Sequence, residues 1–250
     1  MKHIFTTALR SALSIGLFTF TACNSPDKKP DATTQSAAVL PEAPHPSIGT
    51  IERLDPALDK LIARDAKIEQ LADGFDWSEG PVWVRTKQEH EFLLFSDIPP
   101  NKIYKWSEQG GLEEFLHPSG YTGHVPRIGE PGSNGLLLDE LGRLVLCQHG
   151  DRRIARLGNS LDNPRPEYET LADKYEGKRF NSPNDGCFNK AGDLYFTDPP
   201  YGLPKNLKDP AKELAFQGVF RLAKSRSRLI SDLKSLPGWC SAGLGLDLSS

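Results

Sequence analysis

Between Asp55 and Ile62 the apolar residues Leu58, Leu61 and Ile62 fall on one helical face. Asp55 stands where a cap belongs and Pro56 at the first helical position, so a short helix is expected. The helical period then disappears. Apolar residues come instead in short runs separated by turn residues, and the runs form one cassette written three times. The first copy is SEGPVWV, a gap, then EFLLFSDIPPNKIYKW, from Ser78 to Trp106. The second, SNGLLLDELGRLVLCQHGDRRIARL, runs from Ser133 to Leu157. The third, PNDGCFNKAGDLYFTDPPYGL, runs from Pro183 to Leu203, with GVFRL following at Gly218 to Leu222.

Each copy opens on a polar residue with a Gly close by, continues as an apolar strand, and turns at pairs such as Leu141-Gly142 or Ala191-Gly192. A second apolar strand follows and ends in a polar group. Glu79, Asn134 and Asn184 open the copies, 55 and 50 residues apart. Asp97, His149 and Asp198 lie 18, 15 and 14 residues further on, at the expected ends of the second strands. Strand-only self-similarity at this period is the mark of a β-propeller. A β-sandwich would show strands every 8–12 residues without matched polar openers. The expected fold is therefore all-β, an incomplete β-propeller of about four blades after a short N-terminal helix.

Composition adds limits. Gly 22 and Pro 20 in 250 residues agree with many turns between short strands. A formal net charge of −3 excludes the basic excess of a nucleic-acid binder. The 38% hydrophobic and 25% charged shares describe an ordinary globular domain.

The first 23 residues read as an address. Lys2 and Arg10 flank a short apolar run from Ala12 to Phe20, and Thr21 and Ala22 precede Cys23. The run is too short for a spanning helix, which needs roughly 20 apolar residues. Ending on Cys resembles a bacterial lipoprotein signal with Cys23 as the lipidated residue, although Phe20 stands where Leu is usual. The alternative is a cleaved secretory peptide; both readings export the protein to the periplasm or its membrane. Residues 24–49, rich in Pro, Ser and Thr, read as a solvated linker. The remaining cysteines, Cys147, Cys187 and Cys240, lack C-x-x-C spacing, which argues against structural zinc. One disulfide among them is not deducible, and Cys147 in LVLC reads as a buried thiol.

Equivalent positions of successive propeller blades face one another across the central channel. Glu79, Asn134 and Asn184 would there offer one carboxylate and two amide oxygens, a hard-ligand set. That chemistry favours Ca²⁺, with Mg²⁺ or Zn²⁺ as the other candidates. Asn184-Asp185-Gly186 by itself equally reads as a turn.

Ser-Glu-Gly-Pro-Val-Trp (78–83), Leu-Phe-Ser-Asp-Ile (94–98), Asn-Ser-Pro-Asn-Asp (181–185) and Phe-Thr-Asp-Pro-Pro-Tyr-Gly (196–202) resemble the gluconolactonase–regucalcin family. The resemblance runs from about residue 51 to 235. It implies a six-bladed propeller holding one divalent cation, and in many members a hydrolase of sugar lactones. By that resemblance Glu79 and Asn184 are metal ligands and Asn134 lines the channel with the substrate. His149, Arg179 and Tyr201 are candidates to orient substrate hydroxyls, His149 being equally readable as a solvent-facing loop residue. Arg152 and Arg153 read as surface charges. No Gly-x-Ser-x-Gly elbow and no phosphate-binding glycine loop occurs.

The pattern departs from the family near its end. Lys234-Ser235-Leu236-Pro237-Gly238 lacks the oxygen-bearing residue expected between Pro and Gly, and residues 236–250 carry no blade pattern. A truncation or frameshift there is the expectation, and with it the loss of the family's catalytic Asp. The expected function is cation-dependent lactone hydrolysis, weakened or lost if the ring is open. Two other readings stand beside it: a binding platform with a structural Ca²⁺, and a cation-dependent phosphotriesterase or esterase.

Overall fold

The computed structural model describes residues 45–86, 90–225 and 229–234. The signal segment with Cys23, the linker as far as residue 44, Cys240 and the 236–250 tail lie outside the described residues. None of the described helices is long and apolar enough to cross a membrane. Among the described residues three antiparallel meanders make three blades. Blade 1 contains β1 (Ser78–Arg85), β2 (Glu91–Asp97), β3 (Lys102–Ser107) and β4 (Gly111–Leu116). Blade 2 contains β5 (Ser133–Leu138), β6 (Leu144–Gln148), β7 (Arg153–Leu157) and β8 (Tyr168–Ala172). A two-stranded ribbon, β9 (Lys174–Tyr175) with β10 (Lys178–Arg179), leads to blade 3. Blade 3 contains β11 (Gly186–Phe188), β12 (Leu194–Thr197), β13 (Gly218–Leu222) and β14 (Leu229–Lys234).

Each blade begins with its innermost strand. Where β1 passes β5, a Cβ on Gly80 would lie 2.2 Å from the Asn134 carbonyl oxygen, and Gly80 has φ +57°. Both facts require glycine. Where β5 meets the entrance to β11, the Gly135 N–H donates to the Asn184 carbonyl at 2.7 Å. The openers of the three cassettes therefore sit on consecutive, touching backbones.

Blade 2 is covered on both faces, and its sequence says why. Leu136, Leu144 and Leu146 join Phe92, Leu94, Ile103 and Phe115 in the core shared with blade 1. Leu137, Val145 and Cys147 point the other way into a core with Phe180, Phe196 and Phe220. Strand side chains alternate, so a strand buried on both sides must be apolar at every position. LVLC is such a run, and Cys147 is buried and free, with burial raising its thiol pKa.

Two expectations change. The predicted helix is a single 3-10 turn, Pro56–Lys60, capped by Asp55, whose carboxylate accepts from the Ala57 N–H at 2.7 Å. Its expected apolar face is not buried: Leu61 is 84% exposed. The ordered backbone also begins before Ile51, since Ile48 donates to the Ile68 carbonyl and Gln70 to that of Pro46.

Candidate functional site

The site grows from the ends of the inner strands. Asn184 is buried, and its Nδ2 lies 3.1 Å from Nε2 of His149, itself fully buried. With the amide nitrogen donating, Nε2 is the acceptor and the imidazole carries its proton on Nδ1. Glu130 Oε2 stands 3.3 Å from that Nδ1, in ionic range although not aligned as a hydrogen bond. The other end of the amide is the informative one: Asn184 Oδ1 is buried and has no hydrogen-bond partner. A native structure seldom leaves such an atom unsatisfied; ordered water or a ligand fills the place.

Glu79 stands on β1, the inner strand of blade 1, half-buried, accepting from the Trp77 indole N–H at 3.2 Å. Its second oxygen and Asn184 Oδ1 are hard oxygen donors of the kind a divalent alkaline-earth cation takes. Asn134 is buried between them in chain order, its backbone carbonyl taking the Ser96 hydroxyl at 2.9 Å. Among the described residues no group of three or more His, Cys, Asp or Glu converges on a common point. Asn184 Oδ1 and the Glu79 carboxylate are thus oxygen donors of the hard class, one amide and one acid.

His149 is here because the register differs by one residue from the sequence expectation. Asp97 pairs across from Ser78, and it is Gln148, not His149, that pairs across from Ser133. Gln148 and Asp198 both lie fourteen residues after their openers, a spacing that would have revealed this. A one-residue offset sends a side chain to the other face of a strand. His149 consequently turns towards Asn184 rather than to solvent, and the solvent-facing reading is corrected.

Asp97 and Asp198 have a different task. Asp97 accepts the N–H groups of Asp76 and Trp77 at 3.3 and 2.8 Å, and Asp198 those of Asn181 and Ser182, each at 2.8 Å. Each carboxylate holds the chain as it enters its inner strand. Burial raises Asp198 to about 7 against the lowering pull of those two donors.

Beside the Asn184–His149 pair lies a second concavity of about 480 Å³ bordered by Tyr121, Arg127, Gly150, Arg152 and Arg179. Arg152 is only 4% exposed, so the expectation of a surface charge is corrected. It donates from Nε to the Phe180 carbonyl at 2.6 Å and from Nη1 to that of Ala211 at 2.8 Å. Burial lowers its pKa first, and the Arg179 guanidinium lowers it further. Arg179 donates to the Asp151 carbonyl at 2.8 Å, so it faces this cavity. Tyr201 stands 37% exposed on the loop after β12. Of the six expected site residues, the fold joins Asn184 to His149 and sets Asn134 on the adjoining β5, with Glu79 on β1 beyond it. Sequence reasoning missed Arg127, Arg152 and Glu130, which come from irregular loops without periodic signal.

Comparison with known proteins points to one family. Residues 77–244 match the family model "SMP-30/Gluconolactonase/LRE-like region". A gluconolactonase of Zymomonas mobilis is 42% identical over 179 residues, covering 71% of this chain and 48% of its own. The chain thus spans about half the length of that curated relative. A gluconolactonase structure from Xanthomonas campestris superposes with a TM-score of 0.61 at 30% identity, covering 78% of this chain and 61% of its own. An X-ray structure assigned as a gluconolactonase gives the same TM-score at 35% identity, covering 74% and 58%. With its three meanders, its touching inner strands and a family match over two thirds of its length, the chain belongs to the SMP-30/gluconolactonase/LRE-like family.

Proposed function

We infer that the chain carries the cation and substrate end of a divalent-metal-dependent hydrolase that opens a sugar lactone to its hydroxy acid. The observation that carries this reading is the buried, unpartnered Oδ1 of Asn184 at the entrance to β11. The gluconolactonase relatives support the reaction class. A divalent cation, Ca²⁺ by its liking for neutral oxygens, would be held by Asn184 Oδ1 and the Glu79 carboxylate and would supply Lewis acidity to the lactone carbonyl.

The chain's own residues prepare that site. His149 accepts the Asn184 amide N–H and so fixes which end of the amide is left unpaired. A neighbour that orients a ligand in this way matters nearly as much as the ligand itself. The Trp77 indole does the same for one oxygen of Glu79. Asn134 and Tyr201 are the side chains assigned to ring hydroxyls, and Arg179 to a substrate oxygen at the neighbouring cavity. Water adds to the carbonyl carbon, the ring C–O bond breaks, and the acid formed releases one proton to solvent.

That proton is the assay. A pH-stat with glucono-1,5-lactone should record acid release above the spontaneous rate, abolished by EDTA and restored by one added cation. Absence of turnover while Ca²⁺ still raises the melting temperature would favour the binding platform instead. The N-terminal 23 residues support export with Cys23 as the anchor; loss of radiolabelled palmitate from Cys23→Ser would test it.

A further inference from the structure

Three guanidinium groups, Arg127, Arg152 and Arg179, border one cavity, and the backbone takes most of their hydrogen bonds. Arg127 donates to the carbonyls of Gly150 and Gly202 and lies over the Tyr121 ring, 5.0 Å from its centroid. Arg152 and Arg179 donate to the carbonyls of Phe180, Ala211 and Asp151. Carbonyls position a guanidinium without cancelling its charge.

The carboxylates nearby are engaged elsewhere. Asp151 accepts from the Thr122 N–H and hydroxyl and pairs with Arg153 at 3.0 Å. Asp209 accepts from the N–H groups of Lys205 and Ala211. Glu213 takes the Arg179 N–H with one oxygen, while the other is 4.0 Å from Arg152 Nη2, beyond hydrogen-bond reach. Arg152 Nη2 is left buried without a hydrogen-bond partner. Its ion pair with Glu213 is thus long, and a buried guanidinium so weakly compensated is stabilised by an anion that binds it. A guanidinium fork matches the paired oxygens of a phosphoryl or carboxylate group, and about 480 Å³ admits such a group on a hexose-sized body.

The cavity adjoins the candidate site. Gly150 borders it and follows His149 directly. Gly202, which anchors Arg127, packs so close that a Cβ on it would lie 3.0 Å from His149 Cβ.

We propose that Arg152, with Arg127 and Arg179, binds an oxyanion substituent, phosphoryl or carboxylate, at the far end of the sugar lactone. The substrate is then an anionic sugar lactone rather than a neutral one. This assignment rests on the lactonase reading, but its test does not need turnover.

The experiment is titration calorimetry of the purified chain with gluconate, 6-phosphogluconate, glucarate and inorganic phosphate. The phosphorylated or dicarboxylic acid should bind on the order of tenfold more tightly than gluconate, with the gap shrinking at high salt. Whichever of the two binds more tightly identifies the oxyanion. R152M should remove the gap, and R152K should restore it in part. If R152M fails to fold, R127Q, at a half-buried position, should narrow the same gap. Equal binding of all three sugar acids, or a gap that survives in both variants, overturns the proposal. A gap without any lactone hydrolysis would refute the lactonase reading alone.

Discussion

The Asn184 amide meets the His149 imidazole at 3.1 Å across thirty-five residues of chain, leaving its own oxygen buried and unpaired. One contact thus links the third cassette's opener to the residue after β6.

Asn184→Ala removes both ends of that amide. Hydrolysis of the lactone should fall by about two orders of magnitude or more, and the rise in melting temperature with Ca²⁺ should vanish. Differential scanning fluorimetry with and without Ca²⁺ reads the second effect independently of activity.

His149→Ala should destabilise the fold by about 2–4 kcal/mol. The side chain is fully buried, so its loss leaves a cavity and strands the Asn184 N–H. Urea unfolding measures this, and His149→Gln, which can still accept a hydrogen bond, should recover part of the loss.

Gly80→Ala and Gly142→Ala separate strain from collision. Both glycines have positive φ, but a Cβ on Gly80 meets Asn134 O at 2.2 Å whereas one on Gly142 meets nothing within 4 Å. Gly142→Ala should cost about 1 kcal/mol, and Gly80→Ala at least about 3 kcal/mol because two inner strands must separate. Chemical denaturation of both variants gives the comparison.

Asp198 makes stability depend on pH in a defined direction. Its folded pKa is raised to about 7 by burial, above the ordinary aspartate value, so the folded state holds the proton more tightly than the unfolded chain. Its contribution is fullest below the unfolded pKa near 4 and declines as pH rises to about 7. Between about pH 5 and pH 8 this group alone should remove about 2–3 kcal/mol. Urea midpoints at the two pH values should show that decline in the native chain and a smaller one in Asp198→Asn.

The propeller cassette was legible because it rests on local rules. Period-two patterning, the turn glycines and the doubly apolar LVLC run each follow from a strand's geometry and from what covers its faces. The 3-10 turn at Pro56–Lys60 shows the limit of such rules. Its cap was readable, but whether Leu61 found a partner depended on packing, and it found none that buries it. Arg152 shows the reverse case, a charged residue in a polar stretch drawn inside by the carbonyls of Phe180 and Ala211.

By itself the amino-acid order determined the blades, their openers and the hard-oxygen character of Glu79, Asn134 and Asn184, since those follow from neighbours a few residues apart. Only the tertiary structure decided that His149 turns inward, that Asn184 Oδ1 is left unpaired and that three arginines share a cavity. Those outcomes depend on strand register and on loops meeting across thirty to sixty residues, where a shift of one position redirects a side chain and no local pattern records it.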